Sequence, residues 1–197
     1  MLYYFGKFFI APFIFIFFRP RIKGYKNMFR RGKVIYVCNH FSLADPLYIG
    51  IVAPRIIRFM AKASLFASKL GNLLFKSMMV FPVHGKTADL KSVRRAIDTL
   101  NKGQAFGIFP EGHRSPTGDM DHLEKGAAFI ALRAKAPIVP MYIDPNTNKR
   151  VRLRMAVGEV IYPEEVATKN RSSKAVDAVT NAIHDAFITL RAQTEQL

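Results

Sequence analysis

The sequence predicts an α/β fold in which a central, mostly parallel sheet is flanked by helices and follows a hydrophobic, membrane-anchoring helical segment. Short runs rich in β-branched residues alternate along the chain with longer stretches whose apolar residues recur at helical spacing. Such alternation is typical of sheets whose crossover helices cover both faces. A length of 197 residues suits one such core with an appendage, so we assign residues 1–23 to the anchor and residues 24–197 to the folded domain.

The anchor segment is almost wholly apolar and aromatic over residues 1–18, and basic residues follow it at Arg19, Arg21, Lys23 and Lys26. A spanning helix needs about 20 apolar residues, so the stretch is marginal in length. No charged region precedes it and no small-residue cleavage site is evident, which argues against a removable signal peptide. We expect it to hold the protein at the cytoplasmic face of a membrane, with the basic cluster against anionic headgroups. The alternative is an N-terminal helix buried in the core.

The elements of the folded domain follow from hydrophobic periodicity. The predicted strands occupy residues 34–37, 56–60, 79–83, 105–109, 138–143 and 151–161. The predicted helices occupy residues 46–53, 66–78, 90–100, 124–135 and 176–190. Gly103 is placed to cap the third helix, and Pro140 interrupts the fifth strand.

The charge of the chain restricts its partners. A net charge of +16, from 30 Lys and Arg against 14 Asp and Glu, indicates nucleic acid, a membrane surface or phosphorylated substrates. A nucleic-acid binder should interleave basic and aromatic residues on one face, whereas here the aromatic residues concentrate in the first 18 positions. We therefore expect no nucleic-acid partner. The single Cys38 excludes an intramolecular disulfide, fits a reducing compartment, and is expected to be a buried strand-end thiol.

The stretch VIYVCNHFSLADP, residues 34–46, ends a strand-like run in Asn39-His40 and places Asp45 five residues after the His. An Asp in contact with one imidazole nitrogen leaves the other nitrogen free to accept a proton. Residues five apart on a helix point about 140° away from each other, so a touching pair needs one member in the strand-to-helix turn. The alternative is a pair of surface polar residues or turn caps.

The stretch FPEGHRS, residues 109–115, follows another predicted strand. Gly112 permits a tight turn or a close approach to a ligand. Arg114 offers a planar fork that suits a phosphate, and Glu111 is placed to orient that Arg or to hold a substrate hydroxyl. The alternative is a turn that carries a surface ion pair.

NHFSLAD, FPEGHRS and IVPMYI, in that order, resemble the motifs of the phospholipid and glycerol acyltransferase family, most closely its 1-acyl-glycerol-3-phosphate (lysophosphatidic acid) acyltransferases. The resemblance covers roughly residues 24–165. It implies an α/β fold, membrane attachment, His40 as general base and Asp45 as its orienting partner. It also implies that Glu111, Gly112 and Arg114 belong to the glycerol-phosphate site.

Two positions depart from the family pattern. His113 stands where the family usually has Thr, and His84-Gly85-Lys86 stands where it usually has an Arg. We expect Lys86 to supply a point charge in place of that Arg. The remaining motif residues assigned to substrate binding are Asn39, Ser42 and Pro140.

The predicted function is transfer of a fatty acyl group from acyl-CoA or an acyl carrier protein to lysophosphatidic acid, on an anionic membrane surface. Thioester chemistry needs no metal, and we expect no cofactor beyond the acyl donor. An acyltransferase for glycerol 3-phosphate or an aminolipid is an alternative within the same class. A non-enzymatic basic protein that binds membranes or nucleic acid is the alternative from another class.

Overall fold

The computed structural model describes residues 8, 9, 12, 15–17, 19–83, 90–115, 120, 122–147, 152–168 and 174–197. The strands within them are β1 (Arg21–Lys23), β2 (Val34–Cys38), β3 (Ile57–Arg58), β4 (Met60–Lys62), β5 (Phe81–Val83), β6 (Ala105–Ile108), β7 (Ile138–Ile143) and β8 (Arg154–Val157). The helices are α1 (Asp45–Val52), α2 (Lys69–Ser77), α3 (Leu90–Asn101), α4 (Gly126–Ala134), α5 (Pro163–Thr168) and α6 (Ala175–Glu195). Short 3₁₀ helices cover Tyr25–Met28 and Ala63–Phe66.

The central sheet has the strand order β1-β8-β7-β2-β6-β3. Its neighbouring strands are parallel except for β7 and β8, which are antiparallel. The prediction of a mostly parallel sheet flanked by helices is confirmed. Because β6 and β7 lie on either side of β2, their carboxyl ends meet at one edge of the sheet, where open α/β sheets bind ligands.

Strand β2 explains why both faces of the sheet are covered. All five of its residues are buried, and they alternate between two apolar layers. Ile35 and Val37 contact the layer that includes residues of α3, α4 and α6, called here the α3–α4–α6 layer. Tyr36 and Cys38 contact the layer that includes residues of α1 and α2, called here the α1–α2 layer.

The predicted strand at 56–60 is the main difference from the expected elements. It is divided into β3 in the central sheet and β4, which pairs only with β5 in a separate two-stranded sheet. Phe59 lies between the two strands and is buried. An ideal Cβ built on Gly107 of β6 would lie 2.2 Å from the Phe59 ring, so the missing side chain of Gly107 makes the slot that Phe59 fills.

Three further elements differ from the predictions. The expected strand at 151–161 is reduced to β8, and β1 and α5 had no predicted counterpart. Pro140 does not break β7, because β8 pairs with β7 only from Met141 onward. At that point the Pro140 carbonyl accepts the Gly158 N–H at 2.8 Å, and no proline N–H is needed.

The described residues of the N-terminal segment, Phe8, Phe9, Pro12 and 15–17, are helical and exposed. Within the described part of the chain, no helix is both long and apolar enough to cross a bilayer. Strand β1 places residues 21–23 in the central sheet, next to β8. The membrane anchor and the division at residue 23 therefore stay predictions.

Candidate active site

The turn after β2 is built around the Asp45 carboxylate. Asp45 is fully buried, and its Oδ2 lies 2.8 Å from His40 Nδ1. The same oxygen accepts the backbone N–H groups of Phe41 and Ser42, each at 2.8 Å. Asp45 is the first residue of α1 whereas His40 lies in the turn, which is how a five-residue spacing brings the two side chains together. The predicted contact is present, and the negative charge at a helix N-terminus is favourable.

This contact fixes the state of the His40 ring. A carboxylate only accepts hydrogen bonds, so Nδ1 carries the proton and Nε2 presents a lone pair. The His40 side chain is 18% exposed, which is enough for a substrate hydroxyl to reach it. The pair has the arrangement of a general base with its orienting carboxylate.

An aromatic stack that the sequence analysis missed supports the His40 ring. The His40 and Phe109 rings are 4.2 Å apart at 21°, and the Phe109 and Phe59 rings are 5.8 Å apart at 13°. Phe59 occupies the slot left by Gly107 of β6, the strand next to β2, so the stack that supports His40 rests on that neighbouring strand. The only signal in the sequence is that Phe109 begins the second motif, directly after β6.

Asn39 holds the turn against β7. Its side-chain Nδ2 donates to the Ile143 carbonyl at 2.9 Å, and its Oδ1 accepts the Ile143 N–H at 2.8 Å. Asn39 is fully buried, and Pro140 is buried within β7. Both residues thus pack inside the sheet in this structure, and their assignment to substrate binding stays a prediction.

Cys38 is also buried, as predicted, and its Sγ lies 3.5 Å from Asn39 Oδ1. Burial raises the pKa of the thiol well above its ordinary value, and the nearby Asp45 and Glu111 carboxylates raise it further. A thiol held in its protonated form is a poor nucleophile.

The turn after β6 is joined to His40 through the backbone. Glu111 Oε1 accepts the His40 N–H at 3.1 Å, and the Ser115 N–H donates to the His40 carbonyl at 2.8 Å. Glu111 is buried, and within the described residues its Oε2 has no hydrogen-bond partner. Burial raises the pKa of Glu111 to about 7, with a smaller raising effect from Asp45 and a lowering one from the His40 N–H. Glu111 thus contacts the His40 backbone and has one oxygen left for a ligand.

The exposed part of this turn carries Gly112, His113 and Arg114. Gly112 has φ +70°, the left-handed conformation that glycine adopts without strain, so the expected tight turn is present. The His113 Nδ1 donates to the Glu111 carbonyl at 2.7 Å. Arg114 has no ion pair or hydrogen bond with any residue that the structure describes, and residues 116–119 and 121 lie outside the described part of the chain.

Two predicted binding residues remain. The Ser42 hydroxyl accepts the Ala44 N–H at 3.2 Å, a turn contact within the 39–45 motif. Lys86 lies outside the described residues, so its role as a point charge stays a prediction. Among the residues the structure covers, no group of three or more His, Cys, Asp or Glu is placed to hold a metal ion.

The Asp45 contact at Nδ1 leaves Nε2 of His40 available to accept a proton, and an exposed Arg114 follows in the neighbouring turn, an arrangement that suits a base acting on a hydroxyl of an anionic substrate. The profile of the family described as "Acyltransferase" matches residues 19–144. The chain belongs to this family and is an acyltransferase. The resemblance predicted from the three motifs is confirmed, and the non-enzymatic alternative is wrong.

Among curated relatives, the 1-acyl-sn-glycerol-3-phosphate acyltransferase of Bacillus subtilis is 29% identical over 187 residues, covering 91% of this chain and 92% of that protein. The enzyme of the same name from Streptococcus pneumoniae is 28% identical over 169 residues, covering 82% of this chain and 62% of that protein. The crystal structure of the 1-acyl-sn-glycerophosphate (LPA) acyltransferase PlsC from Thermotoga maritima matches 98% of this chain and 82% of its own, with TM-score 0.69 and 21% identity. At that identity the structural match supports the fold.

Proposed function

We propose that the protein transfers a fatty acyl group from a thioester to the free hydroxyl of 1-acyl-glycerol 3-phosphate, which makes phosphatidic acid for phospholipid biosynthesis. The observation that carries the proposal is the His40–Asp45 contact of 2.8 Å, which leaves His40 Nε2 free. The curated relatives are named for this reaction and support the choice of acceptor.

The chemistry follows from the weakness of an alcohol as a nucleophile at neutral pH. His40 Nε2 takes the hydroxyl proton as the oxygen attacks the thioester carbonyl, and buried Asp45 stabilises the imidazolium that forms. The C–O ester bond forms, the C–S bond breaks, and the proton passes from His40 to the leaving thiolate. The Phe109 stack and the Asp45 contact hold the ring still during both transfers.

The acceptor site lies in the neighbouring turn. Arg114 is exposed and unpaired within the described structure, and a guanidinium grips two oxygens of a phosphate at once. Because Ser115, its neighbour, is bonded to the His40 carbonyl, a phosphate on Arg114 keeps the glycerol hydroxyl near His40. We further assign Glu111 Oε2 to a glycerol hydroxyl and Lys86 to the phosphate.

The donor is acyl-CoA or an acyl carrier protein, and both fit a chain of net charge +16 because coenzyme A carries phosphates and acyl carrier proteins are acidic. No other cofactor enters the proposed reaction. The acceptor is a membrane lipid, so the proposal includes association with an anionic bilayer at its cytoplasmic face.

The test is a transfer assay with purified protein. Each donor is paired with lysophosphatidic acid, glycerol 3-phosphate, an aminolipid and a neutral monoacylglycerol, and the His40→Ala protein is the control. We expect turnover with lysophosphatidic acid to exceed that with the other acceptors. Preference for glycerol 3-phosphate or the aminolipid would replace the proposed acceptor, and equal turnover by His40→Ala would remove the proposed mechanism.

A further inference from the structure

Helix α2 exposes the apolar face that an amphipathic helix normally buries. Leu70, Leu73 and Leu74 follow the i, i+3, i+4 spacing of one helix face, yet they are 76%, 64% and 50% exposed. Leu65 and Met79, at either end of the same segment, are each 39% exposed. None of the nine residues of α2 is buried. We call these five side chains the leucine face; contiguous exposed apolar surface of this kind marks a binding surface.

The leucine face is held outward by a well-formed scaffold. Ser68 caps α2 by accepting the Gly71 N–H at 2.9 Å. An ideal Cβ on Gly71 would lie 2.4 Å from the Leu65 carbonyl, so glycine allows the 3₁₀ helix to pack closely against α2. On the inner side, Phe66 and Phe75 contact each other with ring centroids 5.3 Å apart and pack on the α1–α2 layer. The exposure is therefore a feature of the packed structure.

The charge around the leucine face has one sign. The first 88 residues hold 14 of the 30 basic residues and one of the 14 acidic residues, so they carry +13 of the net +16. Their single acid is Asp45, which is buried in the active site. Lys62, Lys69 and Lys76 are exposed along the segment that carries the leucine face. Exposed leucines bordered by lysines match the acyl chains and the negative headgroups of an anionic bilayer.

The leucine face and the active site belong to the same side of the sheet. Phe66 and Phe75, beneath the leucine face, pack on the same layer as Phe59 and Phe109, which stack toward His40. The turn and helix that carry the dyad also expose apolar side chains, Leu43 at 69% and Leu47 at 36%. A bilayer on this side would meet both groups.

We propose that the leucine face is a membrane-docking surface, which inserts its leucines among the lipids of an anionic bilayer and places the His40 side chain at the headgroup level. The contact is proposed in addition to the predicted N-terminal anchor. This proposal extends the proposed function. It depends on that function in one respect, the expectation that the lipid acceptor enters from the bilayer.

The activity consequence is tested with the double variant Leu70→Glu/Leu73→Glu. Insertion of one leucine raises the membrane partition coefficient of a protein by on the order of tenfold. Loss of two inserted leucines should therefore lower turnover of vesicle-borne acceptor at least about tenfold. Turnover of a dispersed short-chain acceptor should be unchanged, because neither leucine contacts the dyad. The matched control is Leu90→Glu/Ile188→Glu, which changes exposed apolar residues on α3 and α6, the other side of the sheet. Loss with both acceptors, or with neither, would overturn the proposal.

The direct test needs no turnover, so its failure is distinguishable from failure of the proposed reaction. Full-length Leu73→Cys and its control Leu90→Cys are labelled with an environment-sensitive fluorophore; Cys38 is buried and does not compete. Leu90 is 81% exposed, so the two positions match in residue type and are both accessible. The probe is a vesicle of phosphatidylglycerol and phosphatidylcholine, with and without nitroxide-labelled lipid.

We expect a blue shift and nitroxide quenching at position 73 and neither at position 90. Lys69→Glu/Lys76→Glu should weaken the response at position 73 by about fivefold per lysine with the anionic vesicles only. Equal responses at both positions, or none at position 73 on vesicles that retain the protein, would overturn the proposal. Blue-shifted emission in the absence of vesicles would also overturn it, because the N-terminal segment would then cover the leucine face. Emission that changes with protein concentration would overturn it too, because a second copy of the chain would then cover the face.

Discussion

The two turns that meet at His40 differ in how they use their polar groups. In the turn after β2, one buried carboxylate oxygen of Asp45 accepts three groups from His40, Phe41 and Ser42, and the polar atoms are directed inward. Each turn also holds one buried carboxylate oxygen without a partner in the described structure, Asp45 Oδ1 in the first and Glu111 Oε2 in the second. The turns differ because Arg114, in the turn after β6, is exposed and has no hydrogen bond or ion pair with any described residue. The first turn holds the His40 ring in place, whereas the second leaves a charged side chain available to a ligand.

This difference separates two tasks that one site must perform. Proton transfer needs a side chain that stays in one orientation, and the first turn provides it through internal hydrogen bonds. Substrate recognition needs unpaired donors, and the second turn provides them through the exposed guanidinium of Arg114. The same turn holds the buried Glu111 carboxyl, whose pKa burial raises to about 7. The expected consequence is that substitutions in the first turn lower kcat and substitutions in the second raise KM.

The largest expected effect is that of His40→Ala. General-base catalysis typically contributes about 10²–10⁴-fold, so kcat should fall by that range while KM for the acceptor changes little. Steady-state kinetics against lysophosphatidic acid measure the change, with thermal unfolding as the control for folding. A rise in KM at constant kcat would place His40 in recognition and reverse the comparison.

Asp45→Asn should come next. An Asn oxygen can still accept the Phe41 and Ser42 N–H groups, so the turn should keep its shape, but the uncharged side chain no longer stabilises a protonated His40 ring. We expect kcat to fall roughly 10²–10³-fold with a small loss of stability. Retention of more than about a tenth of the activity would show that Asp45 serves only to shape the turn.

Arg114→Lys tests recognition in the second turn. The substitution keeps the charge and removes the planar fork, so kcat/KM for lysophosphatidic acid should fall by about ten- to a hundredfold, mainly through KM. Neutral monoacylglycerol should be unaffected. The matched control is His113→Thr at the neighbouring exposed position, which should change little because the His113 contact is local to Glu111. Equal weakening of both acceptors would contradict a phosphate contact.

Glu111→Gln should have the smallest effect, and it depends on pH. The pKa of Glu111 is raised from 4.5 to about 7, so between these values the folded protein holds a proton that the unfolded chain has released. Stability is therefore lost as the pH rises through this window. Gln keeps an acceptor for the His40 N–H and does not titrate, so it should remove roughly 1–2 kcal/mol of that loss. Urea unfolding at a pH below and a pH above this window measures the free energy of unfolding of both proteins. If that free energy changes equally with pH in the two proteins, the raised pKa is contradicted.

The sequence predicted the parts of the site that local geometry determines. The His40–Asp45 contact follows from the order strand, turn, helix within one short stretch, and the ends of β2 and β6 lie at the same edge of the sheet because the two strands run parallel. The turn at Gly112 was predicted for the same local reason. Each of these features is determined either by residues close in sequence or by the direction of a strand.

The parts that were missed depend on distant packing. No residue near Asn39 in the sequence indicates that Ile143, 104 residues away, contacts both ends of its amide. The stack of Phe59 on Phe109 depends on the absence of a side chain at Gly107, in the β6 strand that precedes Phe109. Strand β1 has only three residues and exists because β8 offers it an edge. Hydrophobic periodicity, which predicts helices and strands, carries no information about such long-range contacts.

Similarly, helices α2 and α3 were both predicted from apolar residues that recur at helical spacing. Only the structure shows that α3 buries residues such as Ala96 and Leu100 while α2 buries none.

Alkylation of Cys38 reports on opening of the packed layer beside the active site. The thiol lies at the end of β2 and is buried in the α1–α2 layer, so a reagent reaches it when that layer opens. Its rate of alkylation, divided by that of the same thiol in denaturant, yields the free energy of that opening without any change to the chain. Bound acceptor or thioester should slow alkylation in proportion to its preference for the closed form.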